Sequence, residues 1–265
     1  MLAFYHPNAN VLQGGGMRKR FTRIVGLGIC HVASVIVSGA AGKEIFLWDL
    51  DGVVLTRTNM VGVALSYPRK KELWRQLSYP LLRDALTVLF GRRVFGFKGA
   101  TEQYVRLANQ YEVPLLEEFV LSVANAKKVI PGTVEIMRQL HEAGYPQYIG
   151  TNMGKTVFEH LVQKKEFSFL GEWFDVSASQ FVTLEGLQHG IFKPKKLFFE
   201  EFLLRNDLHA DRVIFIDDRL ENVKSARDVG LRAVKFTGPR ALVRRLKKMG
   251  VATNKMVSIS RLPGK

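Results

Sequence analysis

Two pairs of aspartates are the residues of this chain whose types and spacing carry chemistry. Asp49 and Asp51 stand two positions apart in "EIFLWDLDGVVL", Glu44 to Leu55, and Asp217 and Asp218 stand side by side after "VIFI". Each pair directly follows an apolar run that reads as a buried strand. Alternate residues of an extended chain point the same way, so Asp49 and Asp51 can face one substrate. Gly52 lets the chain turn away behind them. Four carboxylates gathered in one small volume repel one another unless a cation holds them. With oxygen ligands only, and no cysteine or histidine nearby, that cation is a hard ion, Mg²⁺.

Two further pieces belong with these aspartates: Thr151 and Asn152, which follow "YIG", and Lys193 in "FKPKKLFFEEF". Taken singly, each piece has a plainer reading. Asp-Leu-Asp-Gly is a respectable turn, Thr151-Asn152 a helix N-cap, Asp217-Asp218 a cap or an exposed turn, and Lys193-Pro194 nearly uninformative. Their joint order, each at a strand end or after a loop, is what argues for one site.

The elements that must position them follow from the apolar pattern. Strand-like runs recur at Ile45 to Trp48, Tyr148 to Gly150, Val213 to Ile216 and Ala233 to Phe236, separated by segments of helical periodicity. Strands alternating with helices predict an α/β fold, a Rossmann-like parallel sheet covered on both faces. In such a sheet ligands bind beyond the carboxyl ends of the strands, where these polar residues stand. "GTVEIMRQLHEAG" places Val134, Ile136, Met137 and Leu140 on one helical face, and "RLENVKSARDVG" ends at Gly230, a C-cap glycine. Between the first two strands, residues 57–129 hold "KKELWRQL", "PLLRDALTVLFG", "ATEQYVRLANQY" and "PLLEEFVLSVANAKK", helices broken at Pro80, Gly91 and Pro114. The expected organisation is a leader over 1–43, a core over 44–57 and 130–250, a helical cap over 58–129 and a loose tail over 251–265.

These motifs together resemble the haloacid dehalogenase superfamily, in the branch whose helical cap is inserted after the first motif. "DLDG" is similar to the family's first motif, Thr151-Asn152 to the second, Lys193 to the third and "FIDDRLENVKSARDVG" to the fourth, with "VIPGTVEIMRQLHEAGYPQYIGTN" resembling the passage from cap to core. The resemblance spans residues 44–237. It implies that Asp49 is a nucleophile forming an aspartyl-phosphate, and that Asp51 protonates the leaving oxygen and then activates water. It also implies that Thr151 and the amides of Leu50 and Asn152 hold the phosphoryl oxygens, and that Lys193 offsets their charge. Mg²⁺ would be held by Asp49, the main-chain carbonyl of Asp51 and Asp218, with Asp217 beside it. The dehalogenases of the family lack an acid at the place of Asp51, because a halide needs no proton. Asp51 therefore favours a phosphate monoester hydrolase acting on a small phosphorylated metabolite. The alternatives are a sugar phosphomutase and a non-catalytic module binding a phosphorylated ligand or a partner. Two departures from the family pattern stand out: Arg219, which either pairs inward with Asp218 or stays outside, and a long stretch before Lys193 that leaves its placement open. His160 and His189 are read as packing or surface residues. Arg92, Arg93 and Lys98 are candidate contacts for a second anionic group.

Composition sets the remaining bounds. The chain has 265 residues, 47% hydrophobic and 24% charged, enough for a sizeable core with an appendage. Its net charge of +15 raises nucleic acid as a partner. The basic clusters Arg69-Lys70-Lys71, Arg92-Arg93 and Arg244-Arg245-Lys247-Lys248 lack interleaved aromatics, however, so they read as solvated faces and no specific nucleic acid is expected. Cys30 is the single cysteine, which excludes an intramolecular disulfide. From Met17, "MRKRFTR", "IVGLGICHVASVIV" and "SGAAGK" follow the order of a signal peptide, a basic segment, an apolar stretch and small residues. Residues 17–41 are therefore expected to contact export machinery or a membrane, with a cytoplasmic protein the alternative. The oligomeric state is not legible.

Overall fold

A computed structural model describes residues 43–85 and 101–251. The signal-like segment with Cys30, the cations Arg92, Arg93 and Lys98, and the tail beyond Val251 lie outside the described residues. Among those described, no helix is long and apolar enough to cross a membrane.

Five parallel strands form one sheet in the order β3-β2-β1-β4-β5. They are β1 (Ile45–Trp48), β2 (Gln147–Gly154), β3 (Gln180–Val182), β4 (Val213–Asp217) and β5 (Arg232–Lys235). β1 is central, in register with Gln147–Ile149 of β2 on one side and Val213–Ile216 of β4 on the other. All four of its residues are buried, because helices cover both faces of the sheet.

The alternation of side chains along each strand divides the core in two. Phe46 and Trp48 of β1 join Ile214, Ile216 and Val234 beneath the helices Pro131–Glu142, Lys155–Val162 and Pro239–Lys248. Ile45 and Leu47 join Val213, Phe215 and Ala233 beneath Lys196–Arg205 and Leu220–Asp228. The chain passes from β1 to β2 on one side and returns to β4 on the other, so the order of strand addition reverses at β1. A crevice at the carboxyl ends is the consequence.

The helical insert lies between β1 and Pro131. Its described helices are Met60–Ser66, Lys70–Gln76, residues 79–85, Thr101–Gln110 and Pro114–Asn125. Tyr67, Leu73, Leu81, Leu107, Val113, Leu115 and Leu116 bury one another in a cluster of their own. Val105, Val120 and Ala124 pack instead into the larger core cluster of the sheet, so the insert is anchored on the core. Its two connections to the core are paired: the Thr56 amide donates to the Lys128 carbonyl at 2.7 Å and the Ile130 amide to the Val54 carbonyl at 2.8 Å.

Three local features differ from the sequence reading. β2 runs on through Thr151 and Asn152 to Gly154, so those residues lie within the strand and not after it. β3 and the helix Met60–Ser66 are additions, the first because three residues carry no measurable period, the second because "MVGVALS" mixes glycine and β-branched residues. Val134 is half-buried, and Thr133 and Gln139 take buried places on that helix beside Ile136, Met137 and Leu140.

Candidate active site

Asp49 follows the last residue of β1 and continues its ladder, its amide donating to the Ile216 carbonyl at 2.9 Å. Its carboxylate is therefore delivered to the carboxyl edge of the sheet, beside the end of β4, where Asp217 closes the strand and Asp218 follows. Asp49, Asp217 and Asp218 each offer an oxygen, and these three atoms lie within 4.8 Å of one another.

Lys193 reaches the same point from the loop before the helix Lys196–Arg205. Its side chain is 1% exposed, and its Nζ lies 2.8 Å from Asp49 Oδ1 and 2.8 Å from Asp217 Oδ2. Burial alone would push this ammonium down, but the Asp217 and Asp49 carboxylates outweigh it and hold Lys193 above its ordinary range. Asn152 locks the lysine main chain: its Nδ2 donates to the Lys193 carbonyl and the Lys193 amide donates to its Oδ1, both at 2.9 Å. The long loop before Lys193 is thus fixed by a side chain of β2.

Asp217 is fully buried and its oxygens are matched by donors. The Asn222 side chain and Lys193 donate to Oδ2, and the Arg219 amide donates to Oδ1, each at 2.8 Å. Asp218 is less well served. Oδ2 pairs with Arg57, but Oδ1 is buried with no hydrogen-bond partner. Gly52, at φ +88°, passes so close that a Cβ there would overlap Asp218 Oδ2. Burial pushes the Asp218 carboxyl up, Arg57 opposes it and Asp217 adds to it. Asp49 is raised well above the usual carboxylate range by burial, with Lys193 opposing and Asp217 reinforcing.

Such a constellation fits a hard divalent cation. The donors are carboxylate oxygens, one of them orphaned, and a 2+ charge would reverse the burial penalty that now weighs on Asp49 and Asp218. Asp51 stands two residues on and is not part of this triple. Its side chain is half exposed, and Lys127 Nζ lies 2.5 Å from its Oδ1.

The remaining expected residues fall as follows. The Leu50 amide donates to Asp49 Oδ1 at 2.8 Å and so steadies that carboxylate. Thr151 is buried and its hydroxyl oxygen accepts from the Met153 amide at 3.1 Å, leaving its proton to donate elsewhere. Arg219 turns to Glu221 and not to Asp218. His160 bonds the Asn125 side chain at 2.7 Å, and His189 is exposed at a helix C-terminus. Sequence reasoning missed Arg57, Lys127 and Asn222. Asn222 had a readable signal, five positions after Asp217 at the start of a helix. The two cations had none, because only the pairing of the cap connections brings them near.

A family model described as haloacid dehalogenase-like hydrolase matches residues 43–230. A sesquiterpene phosphatase of Aspergillus oryzae is 32% identical over 115 residues, 43% of this chain and 54% of that protein, so the match spans about half the relative's length. Among solved structures, an L-2-haloacid dehalogenase from Xanthobacter autotrophicus is 16% identical, with 84% of this chain and 90% of that one covered and a TM-score of 0.48. A phosphatase from Thermococcus onnurineus is 21% identical, with 73% and 86% covered and a TM-score of 0.49.

Proposed function

We propose that this chain, which belongs to the haloacid dehalogenase-like hydrolase family, is a Mg²⁺-dependent phosphatase that hydrolyses a small phosphorylated metabolite through an aspartyl-phosphate on Asp49. The observation that carries this reading is the buried junction of Asp49, Asp217 and Asp218 with Lys193 set between two of them.

In the first step a carboxylate oxygen of Asp49 attacks phosphorus, the bond from phosphorus to the ester oxygen breaks, and Asp51 passes a proton to the departing oxygen. In the second, water attacks the phosphorus of the aspartyl-phosphate and Asp51 takes up the water's proton. Inorganic phosphate leaves and Asp49 is restored. Lys193 offsets the charge that gathers on Asp49 and the transferring group. Thr151 and the Asn152 amide would hold the phosphoryl oxygens, joined by the Leu50 amide once it leaves Asp49 Oδ1. Mg²⁺, held by Asp49, the Asp51 carbonyl and Asp218 with Asp217 beside it, would supply the charge that lets a phosphate anion approach a carboxylate. An acid at position 51 suits an ester, whose leaving oxygen needs a proton.

The test is hydrolysis of aryl, sugar and terpenyl phosphates by the full chain, with Mg²⁺ or with EDTA, beside Asp49→Asn. Terpenyl esters enter the panel because of the sesquiterpene phosphatase similarity. Turnover that needs both the ion and Asp49 is expected. A folded protein that binds Mg²⁺ yet turns over nothing would point instead to phosphoryl transfer, as in a phosphomutase, or to a binding module.

A further inference from the structure

We infer that Lys127 is a positioning residue that sets the Asp51 carboxylate, so that the segment leaving the cap controls the proton-carrying group of the site. This inference rests on the phosphatase reading above. Lys127 lies 76 positions from Asp51 in sequence, in the connection between the helices Pro114–Asn125 and Pro131–Glu142. Its side chain is only 8% exposed, whereas that of Asp51 is 45% exposed. A buried ammonium is costly unless a charged partner compensates it, and the partner here is Asp51 Oδ1.

The direction of the constraint follows from that asymmetry. Asp51 is the exposed member of the pair, while Lys127 is enclosed by its surroundings. Its backbone is also anchored, its own amide donating to the Ala124 carbonyl at 3.0 Å. The next residue is tied to the incoming connection twice, the Lys128 carbonyl accepting from the Thr56 amide and the Lys128 amide donating to Thr56 Oγ1 at 3.0 Å. Leu55 meanwhile bridges both Asp51 and Val129. The fixed partner is therefore Lys127; it bonds Oδ1 of Asp51, so Oδ2 is the oxygen that carries the proton passed to the leaving group.

Leaving-group dependence separates this role from a structural one. An aryl phosphate such as p-nitrophenyl phosphate departs without a proton, whereas an alkyl phosphate needs Asp51 to supply one. Lys127→Met keeps the unbranched stem in its packed place and removes the charge. The expected result is a fall of at least about 100-fold in kcat/KM for the alkyl ester, the lower end of the range of general acid catalysis, with kcat/KM for the aryl ester within about threefold of wild type. Equal losses on both esters, or none on either, would overturn the inference. A crystal structure of Lys127→Met gives a second readout that needs no turnover: Asp51 should leave its observed orientation, and an unmoved carboxylate also overturns the inference. If the wild-type chain hydrolyses neither ester, the phosphatase reading fails, and the crystal structure alone decides whether Lys127 sets Asp51.

Discussion

Asn152 does its work on another residue's backbone. Both polar atoms of its side chain are spent on Lys193, whose ammonium then stands between Asp49 and Asp217. Asn152→Ala should leave the Lys193 amide and carbonyl without those partners at a cost of about 1–3 kcal/mol, read by urea unfolding. Phosphatase turnover should fall with it, because the lysine loses its fixed approach to the carboxylates. Gly52→Ala makes a sharper case. Its φ of +88° suits glycine, and the added methyl would meet Asp218 Oδ2. Strain of this kind costs about 1–3 kcal/mol, and displacement of Asp218 should also abolish any stabilisation by Mg²⁺. A variant as stable as wild type, with its response to the ion intact, would refute the close approach.

At the scale of elements, the loop from Asp175 to Ser179 joins β2 to β3 through side chains. Asp175 accepts from the Ser177 hydroxyl at 2.7 Å and the Ala178 amide at 3.0 Å, and Ser179 Oγ accepts from the Ile149 amide at 2.8 Å. The Ser177 hydroxyl, then the Ala178 amide, hold the Asp175 carboxyl below its ordinary value. A depressed folded-state pKa means stability that is present above the unfolded pKa of about 3.9 and lost as the pH falls through the folded one. Asp175 is exposed, so solvent limits the term to well under about 1 kcal/mol. Asp175→Ala should melt about 1–2 °C below wild type at pH 7, and the gap should close below pH 4. A gap that widened on acidification would refute the sign. β3 beside this loop also shows where sequence reading stops. β1 and β4 were legible because continuous apolar runs end abruptly in acids, and that same feature made the meeting of Asp49, Asp217 and Asp218 readable. "QFV" is too short to show a period, and its strand character comes from pairing with β2. Lys127 and Arg57 were illegible for a related reason, since their places depend on a long-range pairing of the two cap connections.

For the whole molecule, the basic charge and the acidic site occupy different ground. On the helix Pro239–Lys248, Leu242, Val243 and Leu246 are buried while Arg244, Arg245, Lys247 and Lys248 face solvent. At the carboxyl edge of the sheet three carboxylates cluster beside Lys193, which pairs with two of them, a net charge of −2 before Asp51, Lys127 and Arg57 are counted, and those three add +1. A divalent cation would take the sum from −1 to +1, and because only the folded chain brings the three carboxylates together, ion binding and folding stability are one linked quantity. At a hundredfold excess over its Kd, Mg²⁺ should stabilise the fold by about 2.7 kcal/mol, raising Tm by about 5–10 °C for a chain of this size. Differential scanning calorimetry with Mg²⁺ and with EDTA checks this without any substrate. Asp218→Asn should lose most of the shift, because the orphaned Oδ1 and its charge are what the ion would engage. Lys127→Met should keep the shift, since that lysine holds Asp51 and touches none of the three clustered carboxylates. A full shift in Asp218→Asn would place the ion elsewhere and detach the carboxylate cluster from the chemistry proposed for it.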